Sequence, residues 1–192
     1  LGASVVAGGT GKGGTLTVNA DRLIVRDGAA IDVQSDGDGD AGDLIINVRN
    51  LSVRNGAQIG TGTFGNGDAG DLIVTATTVE LVGKLDSIQA SSGLFASAQA
   101  ESTGQGGTLT VNANRVLVLD GATISVSSES TEAAGDMIIN APTIFLDNQA
   151  SLTGETTAGQ GNITLNTQDL RLRNGSLITT NATGTATGGN IS

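Results

Sequence analysis

The residues with the plainest chemical capacity are carboxylates. Asp36, Asp38, Asp40 and Asp43 crowd one short stretch, and Asp68 and Asp71 another. The Asp-x-Asp-x-Asp run from Asp36 to Asp40 opens like a calcium loop, where closely spaced carboxylate oxygens surround a hard cation. Ala41 stands where such a loop turns on glycine, and Asn47 where a bidentate Glu would close it. The cluster also fails to recur every nine residues, as calcium-binding nonapeptides do. It therefore reads first as a solvated acidic loop that favours solubility, with weak calcium binding at Asp36, Asp38, Asp40 and Asp68 as the alternative. No other cofactor is implied.

Other chemistries lack their residues. The 192 residues include no histidine and no cysteine. That removes His-dependent triads, zinc fingers, haem and iron–sulfur ligation, and a disulfide framework. Paired carboxylates of the glycosidase kind would sit on one outer sheet at a fixed separation. No repeated pairing of carboxylate with Lys or Arg marks any outer strand position, and Arg26, Arg54 and Arg173 read as a solvated row beside a turn. The expectation is a protein that is not an enzyme. Three phenylalanines, with no tryptophan or tyrosine, leave few stacking platforms for sugars or bases. A net charge of -10 opposes nucleic acid and anionic membrane surfaces, and no run is long and apolar enough to span a bilayer.

What must position these residues is a repeat. Glycines that precede an alternating aliphatic run fall at Gly14, Gly42, Gly70, Gly107, Gly135, Gly161 and Gly189, mostly 28 residues apart, with 37 between the third and fourth and 26 between the fifth and sixth. Two residues after each of the first six stand Leu16, Leu44, Leu72, Leu109, Met137 and Ile163, and four after stand Val18, Ile46, Val74, Val111, Ile139 and Leu165. Alternation of period two makes this a strand with one buried face. A second strand carries Leu23, Leu51, Val79, Val116, Ile144 and Leu170, and a third carries Ile31, Ile59, Ile88, Ile124, Leu152 and Ile178. Asp27-Gly28, Asn55-Gly56, Asp120-Gly121 and Asn174-Gly175 mark a tight turn between the second and third strands.

Such pairs also announce hairpins, but an antiparallel meander does not explain why residue type recurs at every position. Equal units coiled about one axis do, because each position then lies about 4.8 Å above its counterpart. The expected fold is all-β: a parallel β-helix of about six coils of about 28 residues, three short strands per coil. Residues 1–192 form one such segment of a longer protein, with an insertion loop at about 91–103. A rod of this kind, roughly 29 Å long, has open ends, so neighbouring coils of the full-length chain are its expected partners. Asn19, Asn47, Asn112, Asn140 and Asn166, with Thr75 in the third unit, form a row where the first strand ends, and read as a structural ladder of stacked side-chain amides. Asp68 is expected above Asp40 and Asp71 above Asp43, about 5 Å apart, so that the loops splay or a cation bridges them. Thr17, Ile45, Ile73, Thr110, Ile138 and Thr164 form an outward β-branched row. The insertion, with Leu94 and Phe95, is expected to fold over part of that row or over Leu117 and Phe145.

Gly70-Asp71-Leu72-Ile73-Val74, Leu51-Ser52-Val53-Arg54-Asn55-Gly56-Ala57-Gln58-Ile59 and Ser92-Gly93-Leu94-Phe95 resemble the shaft repeats of filamentous haemagglutinin-like exoproteins. The loop Gly65-Asn66-Gly67-Asp68-Ala69-Gly70 is similar to repeats of large cyanobacterial surface proteins of that type. The likeness runs from about Gly11 to Ser192. It implies a right-handed β-helix, two-partner secretion through an outer-membrane protein, and a place outside the cell or on its outer surface. The function it implies is structural: a shaft that spaces and displays other parts of an adhesin. A carbohydrate-binding or carbohydrate-active β-helix, or a calcium-dependent surface coat, is the alternative, with a cell-surface or polysaccharide ligand.

Overall fold

A computed structural model describes residues 1–85, 87 and 89–192. The chain is a parallel β-solenoid of about six coils. A strand at Gly2–Val5 precedes coil I (Leu16–Arg26, Ala30–Ser35), followed by coil II (Leu44–Arg54, Gln58–Thr63), coil III (Leu72–Val82, Gly93–Ala98) and coil IV (Leu109–Leu119, Thr123–Ser128). Coil V contains Met137–Asn140, Thr143–Asp147 and Ser151–Thr156, and coil VI contains Ile163–Asn166, Asp169–Leu172 and Leu177–Ala182. Like strands of successive coils stack into two long parallel sheets. The anticipated rows are Cα partners from coil to coil, as in Leu44↔Leu72, Leu109↔Leu72, Leu109↔Met137 and Met137↔Ile163.

The first two expected strands are separate only in coils V and VI. In coils I–IV they run as one strand of 11 residues. The division in coil V coincides with Pro142, which has no N–H to give to a ladder. Its carbonyl instead accepts the Gln168 and Asp169 N–H groups at 3.1 and 3.0 Å.

The interior is one aliphatic column. Leu44, Ile46, Val53, Ile59, Leu72, Leu81, Leu109, Ile124, Met137 and Ile144 have no solvent exposure. Each buried Leu or Ile contributes about 1.5–3 kcal/mol by leaving water. In coil VI Ile163 is covered by a parallel bridge to Ile191 and is buried, whereas Leu170 and Leu172 of the second-strand row are 41% and 40% exposed.

In coils I, II and IV the turn between the long strand and the third strand has positive φ at both central residues: Asp27 (59°) and Gly28 (73°), Asn55 (53°) and Gly56 (73°), and Asp120 (56°) and Gly121 (76°). That is the type I′ pattern of a hairpin. Here it joins strands of two different sheets, because each flanking strand finds its ladder partner in the next coil. The anchor glycines have another origin. A Cβ on Gly70 would overlap the carbonyl oxygen of Gly42, one on Gly107 that of Gly70, and one on Gly135 that of Gly107. Backbone passes over backbone there with no room for a side chain.

The insertion lies elsewhere than at 91–103. Gly93–Ala98 is the regular third strand of coil III, paired with Gln58–Thr63 and Thr123–Ser128. Most of the extra chain precedes it and includes the short antiparallel pair Lys84–Leu85 with Ala90–Ser91. Ile88, expected in the third-strand row, lies outside the described residues. Leu94 takes that place between Ile59 and Ile124 with no exposure. Phe95, one residue on, points out from the third-strand sheet, so neither residue covers the Ile45 row or Leu117 and Phe145.

Candidate functional site

The asparagine row forms amide bonds along the axis. Asn47 Nδ2 donates to Asn19 Oδ1 at 3.0 Å, Asn140 to Asn112 at 2.8 Å and Asn166 to Asn140 at 2.7 Å. Thr75 stands between Asn47 and Asn112 and divides the row. A second axial set occupies the turns, where Asn55 donates to Asp27 at 2.7 Å and Asn148 to Asp120 at 2.9 Å.

The acidic loops stack as expected, Asp68 over Asp40 and Asp71 over Asp43, with their carboxylates bonded to the backbone of the next coil. Each carboxylate accepts a backbone N–H from the next coil: Asp40 from Asp68 at 3.2 Å, Asp43 from Asp71 at 3.0 Å, Asp68 from Gln105 at 2.8 Å and Asp71 from Thr108 at 2.8 Å. Asp38 accepts from Asn66 Nδ2 at 2.6 Å, and Asn66 in turn accepts from Thr103 Oγ1 at 2.9 Å. Asp36 is exposed and donates its N–H to the Val5 carbonyl. A carboxylate that accepts an N–H has part of its charge offset by the backbone dipole, which eases the repulsion between stacked acids. Lys12 Nζ lies 2.9 Å from Asp40. Its hydrogen bond, aided by the Asp68 N–H, holds the Asp40 carboxyl below its ordinary value, and Asp40 raises Lys12 in return. No group of three or more acids is placed to share a metal ion among the described residues. In the arginine row, Arg54 is bound to Glu80 at 2.5 Å and Arg26 lies 3.5 Å from Asp27.

A buried hydroxyl row escaped the sequence reading. Ser35, Thr63 and Ser128 end their third strands almost wholly buried and donate to loop carbonyls: Gly39 and Gly67 at 2.5 Å, and Glu132 at 2.7 Å. Thr156 does the same to Ala158. The signal was present, since hydroxyl residues recur at that position in four coils.

A concave surface lies on the outer face of the third-strand sheet. In coil II the outward positions Gly60 and Gly62 carry no side chain. Gly60 is stacked between Asp32 of coil I and Phe95 of coil III, and Gly62 between Gln34 and Ser97. Two glycines thus form the floor of a notch walled by Asp32 and Gln34 on one side and Phe95 and Ser97 on the other. Phe64, next outward in the alternation and 49% exposed, forms its lip. The space measures about 420 Å³. Phe95 and Ser127 also line a neighbouring hollow of about 910 Å³, which extends over Ser125, Glu155 and Asn181. The two make one groove along the solenoid axis, crossing coils I to VI. The Phe95 ring folds back along its own strand, where a Cβ on Gly93 would lie 3.1 Å from ring carbons. Two of the three phenylalanines therefore line one hollow, Phe95 at the level of Gly60 and Phe64 farther along the strand direction. The findable signal was Phe64 and Phe95 at outward positions beside outward glycines.

No protein-family model, curated protein or solved structure matches the chain. Among the described residues no helix is long and apolar enough to cross a membrane.

Proposed function

We propose that this solenoid is a shaft segment of a secreted, surface-associated exoprotein of the filamentous haemagglutinin-like type, and that its work is to space and display other parts of that protein without chemistry of its own. The observation that carries the reading is constancy of register. Like residues are Cα partners from coil to coil through the stack, so each coil lengthens the rod by about 4.8 Å and repeats the same contacts. Such a body transmits load along a continuous ladder of backbone bonds and axial side-chain bonds. The resemblance of the repeats to exoprotein shafts supports export through an outer-membrane partner, and further coils of the full-length chain are the natural cover for Leu170 and Leu172.

Antibody raised against the 192-residue segment tests this on cells of the source organism. Labelling of intact cells, or recovery of the antigen from the medium, is the expected result. Labelling that appears only after permeabilisation would overturn the assignment to the surface.

A further inference from the structure

We propose that the groove over coils I to IV, centred on Phe64 and Phe95, binds a neutral, hydroxyl-rich glycan chain. The proposal is independent of the shaft reading, since a rod can carry a binding groove wherever it is located. The pit has the size of a small-ligand site, and its lining sets two phenylalanines among many polar side chains. Phe64 and Phe95 offer apolar faces of the kind that cover the C–H face of a sugar ring. Gln34, Gln58 and Gln99 surround them with amides that both donate and accept. Hydroxyl groups do the same, so amides match them in either direction.

Charge selects against acidic sugars. No Lys or Arg lines either hollow, Asp32 stands in the notch, and Glu129 and Glu155 border its extension. An anionic polymer would meet carboxylates, on a chain of net charge -10, without a cation to compensate. A peptide is disfavoured for a different reason. Peptides commonly bind sheets by adding a strand at an edge. Each strand lining the notch, Ala30–Ser35, Gln58–Thr63, Gly93–Ala98 and Thr123–Ser128, is already paired on both sides. What the groove presents is a face, not an edge. Its run along the axis suits an oligomer rather than a single ring.

The test is titration of the 192-residue chain with neutral glucan and mannan hexaoses, with sulfated and uronic acid oligomers and an unstructured peptide in parallel, followed by calorimetry and amide chemical shifts. The expected result is binding of a neutral oligomer, with shifts at Ser97 and Ser127, weakened about tenfold by Phe64→Ala and by Phe95→Ala. Phe64 is exposed, so its variant retains the fold and keeps the test decisive even if Phe95→Ala loosens coil III. Failure of every neutral oligomer to bind overturns the proposal, as does binding confined to the acidic oligomers or the peptide, or neutral binding that survives in Phe64→Ala with the Ser97 and Ser127 shifts unchanged.

Discussion

Thr75→Asn should stabilise the solenoid, and the size of the gain follows from the ladder it completes. Thr75 is exposed and is the Cα partner of Asn47 on one side and Asn112 on the other. In every observed step of the row, Nδ2 of the later coil donates to Oδ1 of the earlier one. An asparagine at 75 would therefore donate to Asn47 Oδ1 and accept from Asn112 Nδ2 without reversing any existing bond. Two neutral hydrogen bonds contribute about 0.5–1.5 kcal/mol each, toward the lower end at a solvated site. Replacing a β-branched residue in a strand offsets part of this, on a scale that spans about 1 kcal/mol. The net gain is about 1 kcal/mol, or roughly 2–4 °C in melting temperature for a chain of this size. The reverse experiment is Asn140→Ala, which removes bonds to both Asn112 and Asn166 and should cost about 1–2 kcal/mol. Thermal and urea unfolding read both, with amide exchange to localise them, since a repeat array need not unfold in one step. A Thr75→Asn chain no more stable than the parent, alongside an Asn140→Ala chain no less stable, would refute a contribution of the amide row to stability.

Three further outcomes follow from the same geometry. Gly70→Ala should destabilise by about 3 kcal/mol, because its Cβ meets the Gly42 carbonyl, whereas Gly14→Ala, with nothing within 4 Å, should be neutral or slightly stabilising; equal melting temperatures would discount close backbone stacking as the reason for the anchor glycines. Thr61→Val should raise stability by about 1 kcal/mol in urea unfolding, since Thr61 Oγ1 is buried without a hydrogen-bond partner among the described residues; a loss of that size would show that the hydroxyl is satisfied. Asp40, whose carboxyl is held below its ordinary 3.8 by Lys12 and the Asp68 N–H, adds a small stability at neutral pH that disappears as pH falls through that lowered value. Asp40→Asn should flatten part of the acid loss seen between about pH 5 and pH 2, and identical profiles would remove Asp40 from the account.

The coil was legible because stacking is demanding. A parallel in-register ladder places each residue against its counterpart, so an amide, a glycine or an aliphatic that suits one coil suits the next, and its recurrence is visible in one dimension. Leu44, Leu72, Leu109 and Met137 could be assigned inward on that ground, and Asn19, Asn47, Asn112, Asn140 and Asn166 to one row. Legibility stopped at coil III. Nine extra residues relative to the usual spacing can be placed in either of two loops with the same total, and only contacts distinguish them. The ladder placed most of them before Gly93, which put Leu94 in the third-strand row and turned Phe95 outward.

By itself, then, the sequence determined the period, the inward column, the positive-φ turns and the stacking of acid over acid. Those are properties of a residue and its counterpart one coil away. Only the tertiary structure decided which backbone groups the acids face, since whether Asp40 and Asp68 reach an N–H of the next coil depends on which way a side chain leans along the axis. Only it, likewise, put Phe64 and Phe95 on the lining of one hollow. A groove arises where neighbouring coils differ, with Gly60 and Gly62 between bulkier residues, and a reading built on what repeats passes over the place where the repeat is broken.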